Sequence, residues 1–141
     1  MPSSVVPFPP AVATRPLRVL AIDDDDGLLD MLNLLLCQTD FELRTARGGK
    51  AGLELATSWD PDVILLDLVM PDLDGATFVG RYREATTSPA PIVLLTGALD
   101  GVSRATELGV SMFLSKPFDL GTLVDVVDVY ASRSGKDIAL G

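Results

Sequence analysis

The chain has 141 residues, 48% of them apolar and 22% charged, with a formal net charge of −9; this suits one soluble domain with its own core and argues against binding nucleic acid through phosphate neutralisation. It contains no histidine, which excludes a histidine-ligated zinc site, a Ser-His-Asp triad and a phosphohistidine carried on this chain. The single cysteine, Cys37, excludes an intrachain disulfide and, following a leucine-rich stretch, reads as a buried core thiol.

Residues 1–16 carry five prolines (Pro2, Pro7, Pro9, Pro10 and Pro16) and one charge, Arg15. Proline at that density removes backbone donors, so the segment reads as a flexible arm. It is either a passive leader or a partner-docking strand. Its start lacks the basic and long apolar regions of a signal peptide, and no apolar run approaches a membrane span. With the lone cysteine, these features predict a cytoplasmic protein that meets no membrane.

Residues 17–22 are a short apolar run and read as the first strand. Apolar residues at 28, 29, 31, 32, 35 and 36 give a first helix with a wide buried face, capped by Asp26. Residues 41–46 alternate apolar and polar, a half-exposed second strand. Gly48-Gly49 makes a turn, and residues 50–59 form a second helix closed by Asp60-Pro61. Residues 63–66 are continuously apolar and end at Asp67, as expected of a central strand buried on both faces.

A loop over 70–75 and a helix over 76–83 follow. After the linker 86–91, residues 92–95 form a fourth strand ending at Thr96. A short helix over 103–108 ends at Gly109, suited to a left-handed C-terminal cap. Residues 112–114 form the fifth strand. Asp119 caps a last helix with Leu120, Leu123, Val124 and Val127 on one face. Five strand–helix units predict an α/β domain over 17–133, a parallel sheet with helices on both faces and right-handed crossovers. The polar tail 134–141 reads as flexible, with no room for a separate output domain.

In such a sheet the C-terminal strand ends form one crevice, where ligands bind. Asp23, Asp24, Asp67, Thr96 and Lys116 all fall at strand ends. Each alone has a plain explanation: acids suit a helix start, and a threonine or lysine is ordinary at a surface. Together they fit one chemistry. Crowded carboxylates raise one another's pKa, with a repulsion of about 4 kcal/mol at 4 Å in an effective dielectric of 20. Mg2+ (or Mn2+), which favours oxygen ligands, removes that cost. Asp67 can then attack phosphorus to give an aspartyl phosphate, while Thr96 and Lys116 hold phosphoryl oxygens.

The segments RVLAIDDDD (18–26), PDVILLDLVMPDLDG (61–75), PIVLLTG (91–97) and FLSKPF (113–118) carry a family resemblance. The chain resembles the receiver domain of two-component response regulators, of the single-domain type, over about residues 17–131. The resemblance implies a flavodoxin-like, doubly wound (βα)5 fold with strand order 2-1-3-4-5. It implies that Asp67 is the phosphoacceptor, Asp24 a direct Mg2+ ligand, Asp23 a ligand acting mainly through water, and the Val69 carbonyl a backbone ligand. Thr96 would be the switch hydroxyl, Lys116 the phosphate-binding lysine and Phe113 the mobile switch aromatic. The Lys116-Pro117 bond would be cis. Val69 and Ala98 occupy the positions that tune dephosphorylation; both are apolar, so a persistent phosphoryl group is expected. Asp25 and Asp26 extend the acidic pair to a run of four and read as caps of the first helix.

The implied function is a phosphorelay switch, not a turnover enzyme: it would catalyse only its own phosphorylation and dephosphorylation. The donor would be a sensor histidine kinase or a histidine phosphotransfer protein. The readout would be a downstream protein partner meeting the face of the fourth helix, fifth strand and fifth helix. Val126, Val129 and Tyr130 form a second apolar stripe that either packs under the chain's own loops or supports a phosphorylation-dependent homodimer. A competing reading is a haloacid-dehalogenase-like phosphatase with Asp24 as nucleophile, since Asp24-Asp25-Asp26-Gly27 is similar to that family's DxDG loop. Leu28 stands where a threonine belongs, no acidic pair follows Lys116, and Asp67 and the loop 70–75 would be unexplained. A phosphorylation-independent module on the same fold would be expected to lose the acids or the lysine, and all are present.

Overall fold

Runs buried on both faces become central strands, and amphipathic stretches become the helices that cover them. The computed structural model describes residues 15–97, 101–110 and 112–132; most of the expected arm, the tail 134–141 and Ala98 lie outside these. The order is β1 (Arg18–Asp23), α1 (Asp26–Leu36), β2 (Glu42–Arg47), α2 (Gly49–Ser58), β3 (Val63–Asp67), α3 (Gly75–Ala85), β4 (Ile92–Gly97), α4 (Gly101–Leu108), β5 (Met112–Lys116) and α5 (Leu120–Ser132). The five strands form one parallel sheet in the order β2-β1-β3-β4-β5, so the flavodoxin-like arrangement is present.

The two-residue strand period divides the core. Leu20, Ile22, Ile64, Leu66, Ile92 and Leu94 pack with Ala56, Phe78, Val79, Tyr82 and Ala105, which places α2, α3 and α4 on one face. Val19, Ala21, Val63, Leu65, Val93 and Leu95 pack with Leu29, Leu32, Leu36, Leu123 and Val127, which places α1 and α5 on the other.

Several boundaries differ from the sequence expectation, each for a local reason. β1, β3 and β5 run on through Asp23, Asp67 and Lys116 because the ladder continues there, pairing Asp23 with Arg47, Asp67 with Leu95 and Lys116 with Gly97. The N-cap of α1 is Asp25, not Asp26: Asp25 is extended, and its side chain accepts from the Gly27 and Leu28 N–H groups. Asp26 is the first helical residue and lies 3.4 Å from Arg47 across an exposed ion pair.

Cys37 is exposed, not buried in the core. Leu29, Leu32 and Leu36 set the buried face of α1, and the next residue turns away from it; the Cys37 thiol donates to the Leu34 carbonyl at 3.0 Å. The second stripe of α5 also divides. Val126 is in the core, Tyr130 packs against it, and only Val129 is exposed. Gly109 does take the left-handed conformation, with φ 68°.

At the N-terminal strand ends, chain entry is locked by Asp62. This carboxylate is fully buried and accepts from the Arg18 N–H at 2.8 Å and from two Arg15 guanidinium nitrogens at 2.7 and 2.9 Å. Arg18 donates to the Trp59 carbonyl at 2.7 Å. The guanidinium groups of Arg18 and Arg44 lie 5.5 and 4.8 Å from the centre of the Trp59 ring. Replacing Asp62 by alanine orphans a buried backbone donor and takes the carboxylate from a partly buried guanidinium, so Asp62→Ala is expected to lose about 2–3 kcal/mol in urea denaturation. Arg15→Ala leaves the fully buried Asp62 carboxylate without its guanidinium partner and is expected to lose a similar amount, about 2–3 kcal/mol. A loss under about 0.5 kcal/mol in either variant would contradict this assignment.

Candidate functional site

Because β1, β3, β4 and β5 are parallel neighbours, their C-terminal ends meet at one edge. Asp23, Asp67 and Thr96 are buried there, and Asp24 is exposed beside them. One carboxylate oxygen from each of Asp23, Asp24 and Asp67 lies within 4.8 Å of the others. Lys116 Nζ reaches in from the end of β5, 3.1 Å from Asp23 Oδ2 and 3.5 Å from Asp67 Oδ1. The Asp25 N–H donates to Asp23 Oδ1 at 3.0 Å and orients that carboxylate.

The electrostatics are unbalanced. Burial raises the Asp67 carboxyl above the usual carboxylate range, and the Asp23 charge raises it further. The Lys116 ammonium and the Val69 N–H, which donates to Asp67, oppose the rise without cancelling it. Burial would lower the Lys116 ammonium, but the hydrogen bond and charge of Asp23 and then the charge of Asp67 outweigh it, so Lys116 is held above its ordinary value. Three hard carboxylates with residual repulsion are a donor set that fits a divalent cation such as Mg2+.

The other expected residues fall nearby with distinct roles in the geometry. Thr96 pairs with Ser115 across β4 and β5, and its hydroxyl donates to the Gly97 carbonyl at 3.2 Å. The Lys116-Pro117 peptide is cis. Val69 is 80% exposed, while its loop neighbours Leu68, Met70 and Leu73 are buried. Phe113 is half-buried and packs against the core on the α2–α4 side.

The Phe113 ring lies directly on Gly101: a Cβ at 101 would stand 2.3 Å from Phe113 Cδ2 and Cε2. Sequence reading assigned Gly101 no role, and gave none to Asp72, which accepts from the Gly49 and Lys50 N–H groups. The available signal for Asp72 was a helix starting on two glycines, with no side chain of its own to cap it. The arrangement also bears on the competing phosphatase reading. That reading needs Asp24 at the centre, whereas Lys116 engages Asp23 and Asp67 and leaves Asp24 at the rim.

The family model for the response regulator receiver domain matches residues 19–128. The DNA-binding dual master transcriptional regulator RpaA of Synechocystis is 31% identical over 122 residues, covering 84% of this chain and 51% of that protein. The transcriptional regulatory protein PrrA of Mycobacterium leprae is 38% identical over 120 residues, covering 84% of this chain and 51% of that protein. The solved structure of the chemotaxis protein CheY4 of Vibrio cholerae superposes with a TM-score of 0.73 at 29% identity, covering 82% of this chain and 98% of that one. The chain thus spans about half the length of RpaA and PrrA.

Two outcomes follow from the geometry. A carboxyl that holds its proton more tightly in the folded state favours folding below its unfolded pKa, about 3.9, and loses that contribution as pH rises through the folded value. Ionised Asp67 therefore costs stability at neutral pH. Asp67→Asn is expected to raise the melting temperature at pH 7 without divalent cations by about 2–6 °C, and the gain should vanish at pH 3; an unchanged or lower melting temperature at pH 7 would sink this account. Gly101→Ala is expected to cost about 1–3 kcal/mol by overpacking. Phe113→Ala should then cost less on that background than in the wild type, and strictly additive losses would show that the two residues do not meet.

Proposed function

The chain belongs to the response regulator receiver domain family, and from that premise we propose that it is a phosphoacceptor switch with Asp67 as the acceptor. The observation that carries this reading is a buried Asp67 held between the like charge of Asp23 and the ammonium of Lys116. An Asp67 oxygen attacks the phosphorus of a phosphohistidine on a sensor histidine kinase or phosphotransfer protein. The P–O bond forms, the P–N bond breaks, and the imidazole leaves with the electron pair of that bond. Lys116 is already beside Asp67 and offers its ammonium to a phosphoryl oxygen. Asp24, Asp67 and the Val69 carbonyl would hold Mg2+ (or Mn2+), with Asp23 acting through water. The cation would supply neutralisation of the charge that develops on the transferring group.

The family is regulatory and not a class of turnover enzymes, so the output is a change of surface. In this reading the Thr96 hydroxyl exchanges the Gly97 carbonyl for a phosphoryl oxygen and Phe113 repacks against α4. The face of α4, β5 and α5 then meets a downstream protein or a second copy of the chain. Val102 on α4 and Val129 on α5 are exposed apolar residues on the two helices of that face. No helix among the described residues is long and apolar enough to cross a membrane. In this reading the chain works in the cytoplasm beside its phosphate donor and binds neither membrane nor nucleic acid.

Val69 and Ala98, at the positions that tune dephosphorylation in the family, have apolar side chains that cannot hydrogen-bond an attacking water, which supports a long-lived phosphoryl group. The test is incubation with acetyl phosphate and Mg2+, followed by intact mass. Wild type is expected to gain one phosphoryl group that hydroxylamine removes, and Asp67→Asn is expected to gain none. Val69→Asn should shorten its lifetime several-fold. Phosphorylation that survives Asp67→Asn and is lost in Asp24→Ala would favour the phosphatase reading instead.

A further inference from the structure

Four amide groups at a helix N-terminus need partners from outside the helix. α1 and α3 take theirs from the residue just before them, Asp25 and Asp74, and in α5 Asp119 accepts from the Thr122 N–H at 2.8 Å. α2 does not. Its N-cap is Gly48, with φ 103° and no side chain to offer. The acceptor comes instead from the loop after β3: Asp72 Oδ1 accepts from the Gly49 N–H at 3.0 Å and Oδ2 from the Lys50 N–H at 3.1 Å. Those two bonds hold the Asp72 carboxyl below the usual carboxylate range, as expected of a charge-assisted contact at a helix start.

The same turn also holds the end of β1, where Asp23 and Asp24 lie. The Gly48 N–H donates to the Asp23 carbonyl at 3.1 Å. Both glycines are required by the closeness of the approach: a Cβ at Gly49 would lie 2.6 Å from the Leu73 carbonyl oxygen, and one at Gly48 would lie 2.9 Å from Asp72 Oδ2. The loop that Asp72 anchors is itself compact. The Gly75 N–H donates to the Leu68 carbonyl at 3.2 Å, and Leu68, Met70 and Leu73 are buried. Val69 rides on this closed loop between the buried Leu68 and Met70.

We propose that Asp72, acting through the Gly48-Gly49 turn, is a positioning residue that braces the β3–α3 loop against the end of β1 and so fixes Val69 relative to Asp23 and Asp24. Its consequence for cation binding rests on the reading of Asp23, Asp24, Asp67 and Val69 as the cation's ligands. A cap next to α2 in sequence would stabilise that helix equally well; a cap borrowed from the β3–α3 loop also holds two loops in register. Removing such an outer partner weakens metal binding without removing a ligand.

The experiment compares wild type with Asp72→Ala, Asp72→Asn and Ala56→Gly. The last weakens α2 at a buried position away from the brace. Mg2+ is titrated and followed through the backbone amide shifts of Asp24 and Asp67, and amide hydrogen exchange is measured without Mg2+. Asp72→Ala is expected to bind Mg2+ on the order of tenfold more weakly and to exchange faster at Gly49, Lys50 and Val69. Asp72→Asn, which keeps one accepting oxygen, should fall between, and Ala56→Gly should keep wild-type affinity while melting earlier. The brace is overturned if Asp72→Ala leaves Val69 exchange unchanged, or if Ala56→Gly weakens Mg2+ binding as much as Asp72→Ala does. A wild type that binds no Mg2+ would defeat the cation reading alone, and Val69 exchange would still decide for or against the brace.

Discussion

The structure turns on two carboxylates buried at adjacent strand ends with one ammonium between them. Asp23, Asp24 and Asp67 carry three negative charges and Lys116 one positive, leaving the cluster at −2. Such an arrangement is costly in a medium of reduced dielectric, and the parallel register of β1, β3 and β5 leaves these side chains no escape. In the proposed function, a divalent cation would cancel this deficit, and a phosphoryl group would restore negative charge at a new place, beside Lys116. One local imbalance then underlies the proposed cation preference, acceptor reactivity and switching.

The two ends of the sheet handle charge in opposite ways. At the N-terminal ends, Asp62 is fully buried with both oxygens engaged by Arg15 and Arg18, so charge is matched and the chain is held still. At the C-terminal ends, the ammonium of Lys116 is divided between two acids, and the Thr96 hydroxyl is satisfied only by a neighbouring carbonyl. β1 and β3 connect the two ends directly, so the matched end frames the unmatched one.

Much of this was legible in the residues because strands buried on both faces write themselves as unbroken apolar runs. Val63–Leu66 and Ile92–Leu95 could be placed almost to the residue, and the polar residue after each run was a site candidate by position alone. Reading failed where several phases fitted. The leucine-rich stretch of α1 offers apolar residues on nearly every side, so Cys37 looked internal, yet Leu29, Leu32 and Leu36, with Leu28 beside them, make the core face. It failed again where the partner is distant in sequence. The Gly101–Phe113 contact and the hold of Asp72 on α2 depend on the approach of separate segments, and no local pattern announces them. The direction of the Thr96 hydroxyl is likewise a tertiary matter, although its place at a strand end was plain.

The stack of Arg18 and Arg44 on Trp59 has a practical side. Trp59 is the one tryptophan in the chain, nearly buried, and it sits beside the first residue of β1, a full strand length away from Asp67. Its surroundings are two guanidinium groups and the far end of the sheet, not the acidic crevice. The molecule thus carries its one indole where global unfolding, and not local change at the cluster, alters what the ring touches. A denaturation curve read at Trp59 therefore reports the crevice only through the stability of the whole domain.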